Sequence, residues 1–173
     1  MKVIFLDIDG VLNYRTCKAR CPNCQSLIGI EDSRVKRLAK IVEATNAELV
    51  LTSTWKLNWM NEEDEQGIYL ARQLAKYRLH IIDSTKDNGW NRWSGIKDYL
   101  DKHSECIESY VILDDEIFQD YVIAYGLMSK LRPEVEEHLV KTSFYSPDGG
   151  LQEEDVQKAI DILNKKKIYK RRD

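Results

Sequence analysis

The sequence is poor in proline and glycine, and it contains no long run of apolar residues. Three prolines and eight glycines among 173 residues leave no low-complexity linker that would divide the chain into domains. No stretch approaches the ~18 consecutive apolar residues of a membrane span, and the apolar run at the N-terminus is too short for a signal peptide. With 43% hydrophobic residues, the chain is long enough for one well-buried domain. We therefore expect a soluble, cytoplasmic protein that has no membrane partner.

A large net charge is also absent. The formal charge is −3, so the chain as a whole has no general attraction to nucleic acid. Positive charge instead collects in residues 165–173, a basic tail that follows a domain placed at residues 1–164. A solvated helix end explains this tail most simply, and contact with a phosphate backbone is the alternative. The composition does not indicate an oligomeric state.

The four cysteines are unevenly placed, and three of them fall in one predicted loop at residues 13–31. Cys17, Cys21 and Cys24 resemble part of a Zn²⁺ site, but a closed structural site needs four ligands. Cys106 or a histidine such as His103 would have to supply the fourth ligand from across the fold. Because disulfides are rare in a reducing cytosol, we favour reduced, unliganded cysteines over both a Zn²⁺ site and a disulfide.

Apolar runs alternate with helical patterns along the chain, and no internal repeat is present. The runs predict strands at about residues 3–6, 48–52, 79–82, 109–113 and 142–145. Helical spacing predicts helices at about residues 32–46, from Asn61, from Ser94, at 133–140 and at 153–165. This alternation favours an α/β fold in which a parallel sheet is covered by helices on both faces. The connections are ordinary crossovers, and they leave no room for a large cap domain over a site.

Two acidic residues, Asp7 and Asp9, follow the first predicted strand. Because open α/β sheets form their sites at the carboxyl ends of strands, both carboxylates are candidate site residues. They can reach one site only if the strand ends and the backbone turns, and Gly10 permits such a turn. Neighbouring carboxylates repel unless one is protonated or a cation lies between them, which favours a divalent ion. An acidic turn without a function is the simpler alternative.

Polar residues also follow the second and fourth predicted strands. Thr52 and Ser53 end the second strand, and a hydroxyl with nearby backbone N–H groups can hold a phosphate oxygen. Asp114 and Asp115 end the fourth strand, and they can complete the oxygen shell of Mg²⁺. A run of basic and amide residues, 86–92, lies between these two motifs. Each motif alone has a simpler explanation as a helix cap or a turn. The occurrence of all of them in this order along the chain favours a phosphate site.

These motifs resemble the four signature motifs of the haloacid dehalogenase-like (HAD) hydrolases, and together they span most of the chain. A narrower similarity, to the HAD domain of Swiss Army Knife RNA repair proteins, is carried by Asp9-Gly10-Val11-Leu12-Asn13, Ser53-Thr54-Trp55, Val111-Ile112-Leu113-Asp114-Asp115 and Gly150-Leu151. The resemblance implies a three-layer Rossmannoid fold with a central five-stranded parallel sheet in the order 5-4-1-2-3 and no large cap. In that order the first and fourth strands are neighbours, which would bring Asp7 near Asp114.

The resemblance also implies a mechanism. Asp7 would attack phosphorus and form an aspartyl-phosphate, and Asp9 would act first as general acid and then as general base. Mg²⁺ would be held by Asp7, by the backbone carbonyl of Asp9, and by Asp114 or Asp115. The ion would screen the repulsion between an attacking carboxylate and a phosphate dianion.

A hydroxyl and a cation would bind the phosphate oxygens that are not transferred. Thr52 or Ser53 would supply the hydroxyl. The third motif usually has a lysine, and this sequence departs from that pattern. We prefer Arg92, at the start of a predicted helix, and then Lys97, one turn further on. An arginine binds phosphate through two hydrogen bonds and keeps its charge. Four tryptophans near these loops can stack on a base, although packing is their commoner use: Trp55, Trp59, Trp90 and Trp93.

The sequence thus predicts a Mg²⁺-dependent phosphatase whose substrate is a phosphorylated small molecule, such as a nucleotide, or a nucleic-acid end. One alternative is a receiver-like phospho-accepting signalling module, but there the adjacent acidic pair follows the first strand and not a later one. Another alternative is a non-catalytic binding domain that keeps the fold. The presence of both Asp7 and Asp9 disfavours that alternative.

Overall fold

The computed structural model describes residues 1–22, 24, 28–61, 63–86, 92–116 and 133–165. Its strands are β1 (Lys2–Leu6), β2 (Glu48–Leu51), β3 (Ile81–Ser84), β4 (Ser109–Asp114) and β5 (Leu139–Lys141). Helices in these ranges are α1 (Asp32–Thr45), α2 (Lys56–Trp59), α3 (Glu65–Ala75), α4 (Arg92–Lys102), α5 (Pro133–Glu136) and α6 (Glu153–Asn164). None of these helices combines the length and the apolar character that crossing a membrane requires.

The strands form one all-parallel sheet in the order β3-β2-β1-β4-β5. This is the predicted order 5-4-1-2-3 read from the opposite edge, so the expected topology is confirmed. β1 lies at the centre and pairs with both β2 and β4. Parallel neighbours need crossover connections, and these carry helices onto both faces of the sheet. The result is a three-layer α/β domain, and within the described ranges no second domain covers the sheet.

The core has two layers because successive side chains of a strand point to opposite faces. Ile4 and Leu6 of β1 are fully buried on the face where α1, α3 and α6 pack. Val3 and Phe5 are fully buried on the other face, where they pack against the apolar side of α4. This alternation also decides the direction of each side chain that follows a strand, and so it positions the site.

The fifth strand differs from its predicted position. The sequence pattern predicts a helix at 133–140 and a strand at 142–145, whereas α5 ends at Glu136 and β5 occupies Leu139–Lys141. Only Val140 of this short edge strand is buried. One buried residue gives too little alternation to distinguish a strand from the end of a helix.

The second predicted helix begins later than its acidic residues indicate. The sequence predicts a start at Asn61, but α3 begins at Glu65, after Asp64. The Asp64 side chain accepts hydrogen bonds from the backbone N–H groups of Gln66 and Gly67 at 2.9 and 3.2 Å, so it is the N-cap. The residues before this cap form the separate short helix α2, which the sequence analysis did not predict. β3 likewise begins two residues after its predicted start.

The loop between β1 and α1 contains a disulfide. Cys21 and Cys24 are bonded to each other, which contradicts our expectation that they are reduced. Their Cα atoms lie 5.3 Å apart, a separation that suits such a bond. Cys17 is buried and free, and Cys106 is exposed and free. Of the three cysteines considered for Zn²⁺, only Cys17 therefore keeps a free thiol.

Candidate active site

Backbone hydrogen bonds continue beyond the central strands and hold the next residues in register. The N–H of Asp7 donates to the carbonyl of Leu113 at 3.0 Å, and the N–H of Thr52 donates to the carbonyl of Leu6 at 2.9 Å. Leu6 and Leu113 face the layer of α1, α3 and α6. The residues after them, Asp7 and Asp114, therefore face the layer of α4. This row of side chains is the basis of the site.

Three carboxylates gather at this edge of the sheet. Asp7, Asp114 and Asp115 each place one carboxylate oxygen within 4.8 Å of the others. No other group of three or more candidate metal ligands is brought together among the residues that the structure describes. Asp7 and Asp114 are also buried, with exposed fractions of 3% and 0%. Hard oxygen ligands at this spacing fit Mg²⁺, which binds to a few carboxylates and completes its shell with water and phosphate oxygens.

Burial and mutual repulsion disfavour negative charge in this cluster. Burial, followed by the charge of Asp7, raises the pKa of Asp114 above its ordinary value. The same two causes raise the pKa of Asp115 to about 6. A cation beside these groups would stabilise their ionised forms. The cluster therefore favours the binding of positive charge.

Arg92 places one positive charge in the cluster. It begins α4, and its Nη1 lies 2.8 Å from Oδ2 of Asp7 and 2.5 Å from Oδ2 of Asp114. Burial alone would lower the pKa of this guanidinium, but the two carboxylates outweigh burial and hold the pKa above its usual range. Lys97 is half-exposed and pairs with Asp101 on its own helix, at 2.5 Å. Of the two predicted cations, Arg92 is thus the one that the structure brings to the acidic cluster.

The carboxylate of Asp9 has two hydrogen-bond donors of its own. Asn13 Nδ2 donates to Oδ1 at 2.7 Å, and Trp55 Nε1 donates to Oδ2 at 3.0 Å. Asn13 is fully buried, and its Oδ1 accepts the backbone N–H of Gly10 at 3.1 Å. Burial raises the pKa of Asp9, although both side-chain hydrogen bonds oppose this shift. A fixed carboxylate with a raised pKa suits a general acid and base.

Gly10 occupies the turn that the sequence predicts after Asp9. Its φ of 80° lies in the left-handed region, which residues with a side chain rarely adopt. A Cβ atom at this position would lie 2.3 Å from Cγ of Asp115. Glycine therefore permits both the turn of the backbone and the close approach of an acidic side chain from the neighbouring strand.

Two hydroxyls at this edge are buried and have no hydrogen-bond partner in the described part of the chain: Oγ1 of Thr52 and Oγ1 of Thr142. Buried polar groups are normally satisfied, so each is suited to bind an oxygen of a ligand. Ser53 differs, because its Oγ accepts the backbone N–H of Trp55 at 3.4 Å. Thr142 follows β5, and its N–H donates to the carbonyl of Asp114 at 3.1 Å. The sequence pattern does not indicate Thr142 as a site residue, because it predicts the fifth strand over this position.

Asn13 and Trp55 are further candidate site residues: the sequence pattern gives Asn13 no role, and it indicates Trp55 only for packing or base stacking. Both lie in the strings that carry the narrower resemblance, but neither residue type has a motif of its own. They contact one carboxylate from two different loops, and only the folded chain brings those loops together. Trp93 packs in the core, the partly buried Trp59 packs against it, and Trp90 lies outside the described residues.

The strand order, the acids at the carboxyl edge and the partly buried Arg92 together define a HAD-type hydrolase. A comparison with protein families agrees with this class and narrows it. The family model described as "HAD domain in Swiss Army Knife RNA repair proteins" matches residues 3–156, and the chain belongs to that family. The match covers the acidic, hydroxyl and basic residues described above. A comparison with curated proteins gives no match.

Proposed function

We propose that this protein is a Mg²⁺-dependent phosphomonoesterase that acts through an aspartyl-phosphate on Asp7. The observation that carries this proposal is the buried cluster of Asp7, Asp114 and Asp115, in which Arg92 contacts two of the three carboxylates. Few folded proteins place several carboxylates in a buried cluster unless cations balance their charge. A phosphate site with a bound divalent ion supplies that balance.

The reaction has two steps on this chain. A carboxylate oxygen of Asp7 attacks phosphorus, the bond from phosphorus to the substrate oxygen breaks, and protonated Asp9 gives its proton to that oxygen. Asp9, now ionised, takes a proton from water, and the resulting hydroxide displaces phosphate from Asp7. The hydrogen bonds from Asn13 and Trp55 hold the Asp9 carboxylate in one place through both steps.

The remaining side chains hold the phosphoryl group and the ion. Asp7, Asp114 and Asp115 would bind Mg²⁺ through carboxylate oxygens, and Asp9 through its backbone carbonyl. When bound, Mg²⁺ supplies positive charge that reduces the repulsion between the nucleophile and the phosphate dianion.

Hydroxyl and cationic groups would bind the oxygens that stay on phosphorus. The Thr52 hydroxyl, which lacks a described partner, is favoured over that of Ser53 for this role. Arg92 is favoured over Lys97 as the cation, because it already lies in the cluster. Removing such a hydrogen-bond donor from a transition-state site typically costs about 10²-fold in rate.

The substrate that we propose is a phosphorylated nucleic-acid end or a nucleotide. Support comes from the family, which is described by its occurrence in RNA repair proteins. The sheet edge also carries no described cap domain, so a large substrate can approach.

A phosphatase assay with Mg²⁺ tests the proposal, using 3′- and 5′-phosphorylated oligonucleotides, mononucleotides and glycerol phosphate. We expect the wild-type protein to release phosphate and Asp7→Asn to lose at least about 10³-fold in rate, because an amide cannot replace the nucleophile. Equal, slow release by both proteins would contradict the mechanism. A long-lived phosphorylated Asp7 without turnover would favour the receiver-like alternative.

A further inference from the structure

An open groove of about 460 Å³ lies beside Asp9, and the steps above do not use it. Its lining includes Asp9, Trp55, Leu57, Asn58, Gln66 and Phe144. A space of this size is much larger than a phosphate group and is in the range of pockets that hold small organic ligands. Because the proposed general acid lies in its wall, the groove is where the leaving group of a phosphomonoester would lie.

The walls of the groove expose apolar side chains. Leu57 lines it with 62% of its surface exposed, and Phe144 lines it from the loop after β5. Met60 is 68% exposed one helical turn after Leu57, and Tyr145 is 71% exposed next to Phe144. A cluster of large exposed apolar side chains is uncommon on a protein surface and typically marks a binding site. Apolar walls suit a planar ring better than a small sugar or glycerol.

Two amide side chains also line the groove. Asn58 uses its Nδ2 to donate to Asp64 at 3.0 Å, which holds the side chain in place. The structure gives the Gln66 side chain no hydrogen-bond partner among the residues it describes. An amide has both a donor and an acceptor, which is the combination that reads the edge of a nucleobase.

The loop beside the groove is positively charged. Arg15, Lys18 and Arg20 are exposed, and no acidic residue occurs between Asp9 and Glu31. This loop is fastened to the groove, because the N–H of Arg15 donates to the carbonyl of Phe144 at 2.9 Å. The guanidinium of Arg15 also lies 5.9 Å from the centre of the Tyr145 ring. On a chain with a net charge of −3, this local excess of positive charge complements a polyanion.

From these contacts we infer that the groove binds the terminal nucleotide of a phosphorylated nucleic-acid strand. The base lies between Leu57 and Phe144, the amide of Gln66 contacts its edge, and Arg15 and Lys18 contact the phosphates further along the strand. This inference rests on the proposed function, because it identifies the leaving group for the same reaction. It goes beyond that function by assigning substrate specificity to residues that take no part in the chemistry.

The test compares two substrates that share the reacting group. One is a short 3′- or 5′-phosphorylated oligonucleotide, and the other is glycerol phosphate, which has no base. We expect Leu57→Ala to lower kcat/KM about tenfold for the oligonucleotide and to leave kcat/KM for glycerol phosphate unchanged. Gln66→Ala should show the same selectivity. Ile82→Ala is the matched control, since Ile82 is an exposed apolar residue of β3 outside the groove.

The charged loop is tested by salt dependence. The double variant R15Q/K18Q should bind the oligonucleotide more weakly, and its log–log salt slope should fall by roughly 1.4, or about 0.7 for each lost phosphate contact. K36Q/R72Q removes the same charge from exposed positions on α1 and α3 and should keep the wild-type slope.

The possible outcomes separate the two proposals. Unchanged oligonucleotide turnover in Leu57→Ala, or an equal loss for both substrates, would overturn the groove assignment. Preference of the wild type for glycerol phosphate or a phosphoserine peptide would overturn the choice of occupant. If the wild type hydrolyses no substrate, the phosphatase proposal fails, and fluorescence anisotropy with the same oligonucleotide still decides whether Leu57→Ala weakens binding.

Discussion

Arg92 contacts two carboxylates that are both buried, so we expect its replacement to lower the stability of the folded protein strongly. In Arg92→Gln, Asp7 and Asp114 lose this balancing charge. We expect the free energy of unfolding, measured by urea denaturation in EDTA, to fall by about 3 kcal/mol. Arg92→Lys should retain part of this stability. It should also retain part of the phosphatase activity, because the third motif usually has a lysine, although an ammonium group lacks the planar fork of a guanidinium.

Lys97 is the matched control for Arg92, because both are cations on α4 and only Arg92 reaches the cluster. Its ion pair with Asp101 is largely solvated, and such pairs contribute little. Lys97→Gln should change the free energy of unfolding by less than about 0.5 kcal/mol and leave kcat/KM near the wild-type value. If it reduced kcat/KM as much as Arg92→Gln does, Lys97 would be the cation of the third motif.

The turn after β1 requires a glycine for two separate reasons, and a pair of variants distinguishes them. Gly10 and Gly150 both have positive φ, at 80° and 77°. An alanine Cβ at Gly10 would meet Cγ of Asp115 at 2.3 Å, whereas one at Gly150 would meet the backbone oxygen of Val11 at 2.9 Å. Both substitutions should lower the melting temperature, since a left-handed alanine costs about 1 kcal/mol or more. Only Gly10→Ala should also weaken Mg²⁺ binding, measured by isothermal titration calorimetry. Equal Mg²⁺ affinity in the two variants would show that Asp115 is not a ligand.

Central and edge elements differ in how far the sequence predicts them. β1, β2 and β4 are predicted within about two residues, because their apolar runs are buried on both faces. β5 is an edge strand with one buried residue, and its predicted position was wrong. The sequence places the acids and the hydroxyl at one edge of the sheet, because these residues directly follow central strands. Asn13 and Thr142 could not be assigned, since their roles depend on contacts between loops that no local pattern records.

The bonding of the cysteines in the loop between β1 and α1 is likewise not predictable from the sequence alone. A short C-x2-C segment is compatible with free thiols, a metal knuckle or a disulfide, and sequence spacing alone does not choose among them. In the folded chain, the Cα atoms of Cys21 and Cys24 lie close enough for their sulfur atoms to form a disulfide. Cys17 is buried and stays free. The backbone conformation of the loop therefore distinguishes among alternatives that the cysteine spacing leaves open.

The acidic cluster makes the stability of the whole protein depend on pH and on Mg²⁺ together. The pKa of Asp115 is about 6 in the folded protein, mainly because of burial, against an ordinary value of 3.8. Between these values the folded state binds more protons than the unfolded state, so this residue's contribution to stability falls as pH rises from about 4 to about 6. Asp115→Asn removes that contribution. In EDTA, we expect its melting temperature to equal that of the wild type near pH 4 and to exceed it at pH 7.

At pH 7, Mg²⁺ should reverse the order of the two melting temperatures, so that the wild type melts above Asp115→Asn. An ion that binds only the folded protein stabilises it by about 2.7 kcal/mol when its concentration is 100 times the dissociation constant. The wild type, with three candidate carboxylate ligands, should gain more from millimolar Mg²⁺ at pH 7 than Asp115→Asn, and it should gain little at pH 4, where protons compete for the same oxygens. Differential scanning calorimetry of both proteins, with EDTA or Mg²⁺ at the two pH values, measures all of these shifts. A melting-temperature difference between the two proteins that is independent of both pH and Mg²⁺ would show that Asp115 neither titrates in this range nor binds the ion.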